Sequence, residues 1–198
     1  MKTREKLIEV ARNLFLYKGL ENTTMNDIAT ASEKGRRTVY TYFKNKKEIY
    51  QAVLTRESDT LVAELEKIAD NPALTTPERL RQFLLMRLRQ LDTRSAIHES
   101  LATSFFKMLK PDFRRVIRIR QLAWDKSQQI LQRILDQGVR EGCFDARQAE
   151  RIVHFASETL VGIAYVKSFG IADETSEPDG PLCANHFIDY ILSTLERE

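Results

Sequence analysis

The residues whose types could do chemistry crowd into one short stretch: Thr24, then Arg36, Arg37, Thr38, Tyr40, Thr41, Tyr42 and Lys46. Stepped at about 100° per residue along a helix, residues 36–43 separate into two faces. Val39 and Phe43 fall together and point to a small core, while Arg37, Tyr40, Thr41 and Lys44 share the opposite side, flanked by Thr38 and Tyr42. Cations and hydroxyls on one exposed helix face suit a polyanion that carries planar bases. An Arg can grip a guanine edge with two hydrogen bonds, a Thr methyl can meet a thymine methyl, and Tyr hydroxyls can bond phosphate oxygens. The plainer reading of the same pattern is a solvated basic face on a helical hairpin.

The elements that must position this face are legible around it. Residues 25–31 form a supporting helix with Thr24 as N-cap and Asp27 reaching back as in a capping box. Ile28 and Ala29 face inward, and residues 32–35 make the turn. Residues 3–18 form a first helix with Leu7, Ile8, Ala11, Leu14 and Phe15 at helical spacing, stopped by Lys18-Gly19. Together they predict a three-helix platform with a helix-turn-helix.

On its residues the segment resembles the N-terminal domain of TetR-type (tetracycline-repressor-like) transcriptional regulators. The resemblance is carried by Phe15 and Gly19, Thr23-Thr24-Met25, Asp27-Ile28-Ala29, Thr38-Val39-Tyr40, Tyr42-Phe43 and Lys46. It covers about the first 50 residues in detail and the rest in layout. It implies that Thr24, Tyr40, Tyr42 and Lys46 hold phosphates, that Arg36, Arg37 and Thr38 read or approach bases, and that Thr41 faces the groove. One departure stands in the turn. The family usually has Gly, an apolar residue and Ser, where this chain has Glu33, Lys34 and Gly35. Gly replaces Ser as a cap at a cost of a few tenths of a kcal/mol, whereas Lys34 cannot anchor the turn as Val would.

Composition narrows the remaining classes. The chain has 198 residues, 42% hydrophobic and 30% charged, with a net charge of +3. That net charge hides an asymmetry: residues 1–47 hold 11 Lys+Arg against 5 Asp+Glu, and the remainder 20 against 23. A basic head on a mildly acidic body is the electrostatic footprint of a nucleic-acid reader with a separate module. No run of about 18 apolar residues predicts a membrane span. The start reads as an amphipathic helix with no export signal, and Cys143 and Cys183 are too few for a disulfide framework, so a cytoplasmic location is expected.

Enzyme chemistry has little to stand on. His98, His154 and His186 sit in no HExxH pattern, the cysteines lack CxxC spacing, and no phosphate-binding glycine loop or nucleophile elbow occurs. No cofactor and no metal site is expected.

The rest of the chain reads as helices over 47–70, 77–92, 94–109, 111–140, 146–169 and from 181 onward, giving about nine in an all-α fold. Residues 71–76 are a linker, Thr76 a cap with Pro77 at the first helical position, and 170–180 an acidic flexible loop. The expected division is 1–47 for DNA binding and 48–198 for ligand binding and dimerisation. In TetR-like proteins this body encloses a small-molecule cavity, and Phe83, Met86, Phe105, Trp124 and Tyr165 are candidates to line it, the alternative being ordinary core. From Ile152 onward one helix is apolar nearly all round, more than a single neighbour covers. Phe155, Thr159, Ile163, Phe187, Ile191 and Leu195 are therefore candidates for a four-helix dimer interface. A twin subunit would set two recognition helices about 34–36 Å apart. The expected protein is a homodimeric DNA-binding regulator of a palindromic operator, a repressor released by a small molecule. The alternative is a helical dimeric binding module acting through protein contacts without specific DNA recognition.

Overall fold

The computed structural model describes residues 2–93, 113–168 and 184–195. Eight helices run through them: α1 (Lys2–Lys18), α2 (Met25–Ala31), α3 (Arg36–Tyr42), α4 (Lys46–Ala69), α5 (Thr76–Thr93), α6 (Phe113–Glu141), α7 (Ala146–Ser168) and α8 (Ala184–Leu195). The helix expected over 94–109 and the loop expected over 170–180 lie outside the described residues.

The chain divides into two compact units. The first takes residues up to Thr60 and α6 as far as Leu122; the second runs from Leu61 and from Ala123. The head thus extends beyond residue 47 into the first half of α4.

The head core is what the helical spacing of α1 prescribes. Leu7, Ile8, Ala11 and Phe15 are buried against Ile28 and Ala29 of α2, Val39 of α3, Phe43, and Ile49, Tyr50, Val53 and Leu54 of α4. Val116 of α6 joins them. α1 ends where Gly19 takes φ +81°, a conformation that a residue with a Cβ enters only with strain. Arg12 of α1 donates to the half-buried Glu57 of α4 at 2.8 Å, tying the two helices.

In the second unit one core joins Leu61 and Leu65 of α4, Leu80, Phe83 and Leu84 of α5, Ile130, Leu131, Ile134 and Leu135 of α6, Ile152, Ala156 and Leu160 of α7, and Ile188, Ile191 and Leu195 of α8. α5 starts one residue earlier than expected, because its carboxylate partner is Glu78, three residues after Thr75. Glu78 accepts from the Thr75 amide at 2.7 Å and from its hydroxyl at 2.8 Å. Thr75 is therefore the cap, and the buried Thr76 hydroxyl donates to Glu141 instead. Gly138 lies inside α6 rather than ending it; a Cβ there would stand 2.0 Å from the Phe144 ring. Gly142, at φ +77°, closes the helix. Asp145 then caps α7, accepting from the amides of Arg147 and Gln148.

Candidate nucleic-acid interface

The capping box at the start of α2 is complete and larger than expected. The Asp27 amide donates to the Thr24 hydroxyl at 3.1 Å, and the Asp27 carboxylate accepts from the Thr24 amide at 2.7 Å. That carboxylate also accepts from the Thr24 hydroxyl and from Lys18, each at 2.8 Å. The Lys18 ammonium first, then the Thr24 donors, hold the Asp27 carboxyl down at about 2. Both donors of Thr24 are thus engaged inside the head. Thr24 caps α2 as the sequence predicts, and in the free chain its hydroxyl donates within the box.

The unusual turn closes in ordinary geometry. The Lys34 amide donates to the Ala29 carbonyl at 3.0 Å and the Glu33 amide to the Thr30 carbonyl at 3.1 Å. These two bonds are a Schellman motif, with Glu33 at φ +56° in the place that glycine usually takes. The buried Ser32 hydroxyl adds a bond to the Ala29 carbonyl, and Lys6 of α1 pairs with Glu33 at 3.1 Å. Gly35, the N-cap of α3, has φ −62° and supplies no side-chain bond.

α3 is anchored by Val39, fully buried, and by Phe43 just after it. The Arg4 guanidinium covers the Phe43 ring at 5.3 Å from its centre. The opposite face is open. Arg36, Arg37, Tyr40, Thr41 and Tyr42 are exposed and Thr38 is half-buried. The Thr41 hydroxyl donates back to the Arg37 carbonyl at 2.9 Å, which turns it from solvent as a donor. Lys46 is half-buried, and its ammonium donates to the carbonyls of Leu20 at 2.6 Å and Glu21 at 3.1 Å.

Charge is therefore divided in the head. Lys6, Arg12 and Lys18, all on α1, are paired internally with Glu33, Glu57 and Asp27. Among the described residues Lys34, Arg36, Arg37 and Lys44 make no ion pair. These four cations, open to an outside anion, flank and begin α3. The sequence reading marks Lys34 as a departure in the turn but not among the DNA-binding candidates; its place beside the turn was the available signal.

The body candidates separate. Phe83 is fully buried core, with Met86 and Trp124 half-buried against it. The guanidinium of Arg87, itself buried, lies 4.9 Å from the Trp124 ring centre. Phe105 and the side chain of Tyr165 lie outside the described residues. A cavity of about 720 Å³ opens between α6 and the start of α7, lined by Gln129, Arg133, Asp136, Val139 and Glu150, and none of the candidates lines it. Cys143 is half-buried with its thiol against the Gly138 carbonyl, and burial, then Glu141, pushes its pKa up, as befits an inert thiol.

Of the interface candidates, Ile191 and Leu195 have no exposed surface and belong to the chain's own core, so they leave nothing for a partner to cover. This corrects the expectation at those two positions: the stripe on α8 faces inward. Phe155 remains 45% exposed, packed beside Phe187 and Tyr190 at ring distances of 6.2 and 6.4 Å. Thr159 is half-buried, and the Ile163 side chain lies outside the described residues.

A short helix bearing unpaired cations and exposed tyrosines, packed on Ile28 and Ala29 of α2 through Val39, has the geometry of a helix-turn-helix. Residues 7–53 match the family model described as bacterial regulatory proteins, tetR family. Over this stretch, about the first quarter of the chain, it is similar to that family's N-terminal domain. An uncharacterized HTH-type transcriptional regulator, YhgD, of Bacillus subtilis is 36% identical over 85 residues, covering 41% of this chain and 42% of that one. The chain matches about two-fifths of the length of the curated relatives. Over nearly its whole length it has the fold of solved relatives. A TetR/AcrR-family regulator from Thermobifida fusca superposes with a TM-score of 0.59 at 23% identity, covering 98% of this chain and 96% of that one. A bacterial regulatory protein in the tetR family from Rhodococcus gives 0.59 at 19% identity, covering 100% and 99%.

Proposed function

We propose that the chain is a homodimeric transcriptional repressor that leaves a palindromic operator when a small molecule enters its helical body. Arg36, Arg37 and Thr38 approach bases, Tyr40 and Tyr42 reach phosphates, and Thr41 offers its methyl to the groove. The observation that carries this reading is the charge division: Lys34, Arg36, Arg37 and Lys44 around α3 are unpaired while Lys6, Arg12 and Lys18 of α1 are paired with other elements of the head. α4 runs unbroken from the head into the body core, which suits it to act as a lever, so that ligand affinity and DNA affinity are reciprocally coupled. Exposed Phe155 and Tyr190, clustered with half-buried Phe187, support pairing of α7 and α8 with a second copy. Two heads are needed, because one short helix makes too few contacts for an operator-grade affinity.

Selection of bound fragments from the host genome tests the proposal. Recovered fragments should share an inverted repeat, and affinity should fall steeply with salt, with a log–log slope near −0.9 per phosphate contact. Retention of no fragment at low salt, or a chain that sediments as a monomer when concentrated, would refute it.

A further inference from the structure

We propose that Lys46 is a positioning residue for DNA binding, acting through the loop between α1 and α2 rather than through a phosphate. This deepens the DNA-binding reading and rests on it. The Lys46 ammonium donates to the Leu20 carbonyl at 2.6 Å and the Glu21 carbonyl at 3.1 Å. Both carbonyls lie just past the C-terminal end of α1, where the helix dipole favours a cation. The same loop is also held by Thr23, fully buried, whose hydroxyl donates to the Gly19 carbonyl at 2.7 Å and whose amide donates to the Leu20 carbonyl at 3.4 Å. Thr24 follows at once and caps α2.

The consequence is topological. Between Leu20 and Lys46 lie α2, the turn and α3, that is, the whole DNA-reading unit. One ammonium closes that segment into a ring and fastens the start of α4 to the entrance of α2. Any movement of α4 then reaches α3 from both ends: directly through Phe43–Asn45, and through Lys46, the loop and α2. A lysine carries three N–H donors, and two here are engaged within the protein.

The two roles differ in what loss of Lys46 does. A phosphate contact contributes about 0.9 to the salt slope and leaves the free protein unchanged when removed. A positioning contact loosens the free protein and lowers affinity while the slope stays. The full-length chain with Lys46→Met and with Lys46→Arg separates them. Amide exchange is followed across residues 19–31 without DNA, and binding to a labelled mixed-sequence duplex is measured between roughly 50 and 200 mM salt. In Lys46→Met, amides from Leu20 to Asp27 should exchange several-fold faster, and affinity should drop about tenfold at every salt concentration with the slope kept. Lys46→Arg, whose guanidinium can reach both carbonyls, should restore both readouts. Unchanged exchange together with a slope shallower by about 0.9 overturns the proposal and leaves DNA binding standing. A wild-type chain that binds no duplex overturns the DNA-binding reading and this role with it. Should Lys46→Met fail to fold, Lys46→Gln serves with the same two readouts.

Discussion

Replacing Glu33 with glycine should tighten the turn before α3. Glu33 sits at φ +56°, a left-handed conformation that strains a residue with a Cβ by about 1–2 kcal/mol. Glycine removes that strain but gives back about 0.5–1 kcal/mol in greater freedom of the unfolded chain. The substitution also breaks the Lys6–Glu33 pair, whose Glu33 side chain is 84% exposed, so solvent screening reduces its worth to a few tenths of a kcal/mol. The balance favours glycine by about 0.5 kcal/mol, roughly a twofold slowing of local opening. Valine at the same position, β-branched and ill-suited to positive φ, should move the other way and open the turn about tenfold more often than glycine. Native-state exchange of the Ser32 and Lys34 amides, which bond Ile28 and Ala29 across the turn, reads this order directly. Faster exchange in both Glu33→Gly and Lys6→Ala would refute the reasoning, because it would place the ion pair above the backbone strain.

Three further outcomes are expected. Arg37→Ala should weaken binding to a selected operator fragment by about 1–3 kcal/mol, and an unchanged footprint would remove Arg37 from the reading face. The Asp27 carboxyl is held at about 2 against its ordinary value of 3.8, so its contribution to head stability is complete above the higher value. It is lost as pH falls through the lower one; urea midpoints of wild type and Asp27→Asn should therefore differ at neutral pH and converge across that acid window. Gly138→Ala places a methyl 2.0 Å from the Phe144 ring and should destabilise the body by about 1–3 kcal/mol. Adding Phe144→Ala should then cost less than the two changes measured singly, and full additivity in melting experiments would mean that the two residues do not meet.

Features governed by neighbouring residues were legible in the sequence. The Thr24–Asp27 box spans three residues, and the burial of Leu7, Ile8, Ala11, Phe15, Val39 and Phe43 follows from helical periodicity. What periodicity leaves open is which partner a stripe will meet. Ile191 and Leu195 lie on an apolar face that would serve a second subunit or the chain's own core equally, and they turn inward. Gly138 reads as a helix stop, yet the Phe144 ring requires a residue without a Cβ inside the helix. Lys46 bonds carbonyls 25 and 26 residues away, and backbone carbonyls leave no mark in a side-chain pattern.

The division of charge in the head follows from the size of α3. A helix of seven residues is unstable by itself, since helix nucleation is costly and its few hydrogen bonds do not offset it. Ordering such a segment only upon meeting DNA would cost roughly 7–14 kcal/mol in backbone entropy, at about 1–2 kcal/mol per residue. Specific operators typically gain about 4–10 kcal/mol over non-specific DNA, so a disordered α3 would forfeit most or all of that margin. The ordering must therefore be met in the free protein, by contacts that never touch a base. Buried Val39 and Phe43 hold the helix from beneath, the Schellman turn holds its start, and the Lys18–Asp27–Thr24 and Lys46–Leu20–Glu21 ties hold the elements on either side. Positive charge in this domain consequently serves two ends: the lysines of the ties order α3, and the unpaired cations beside it stay open to an outside anion.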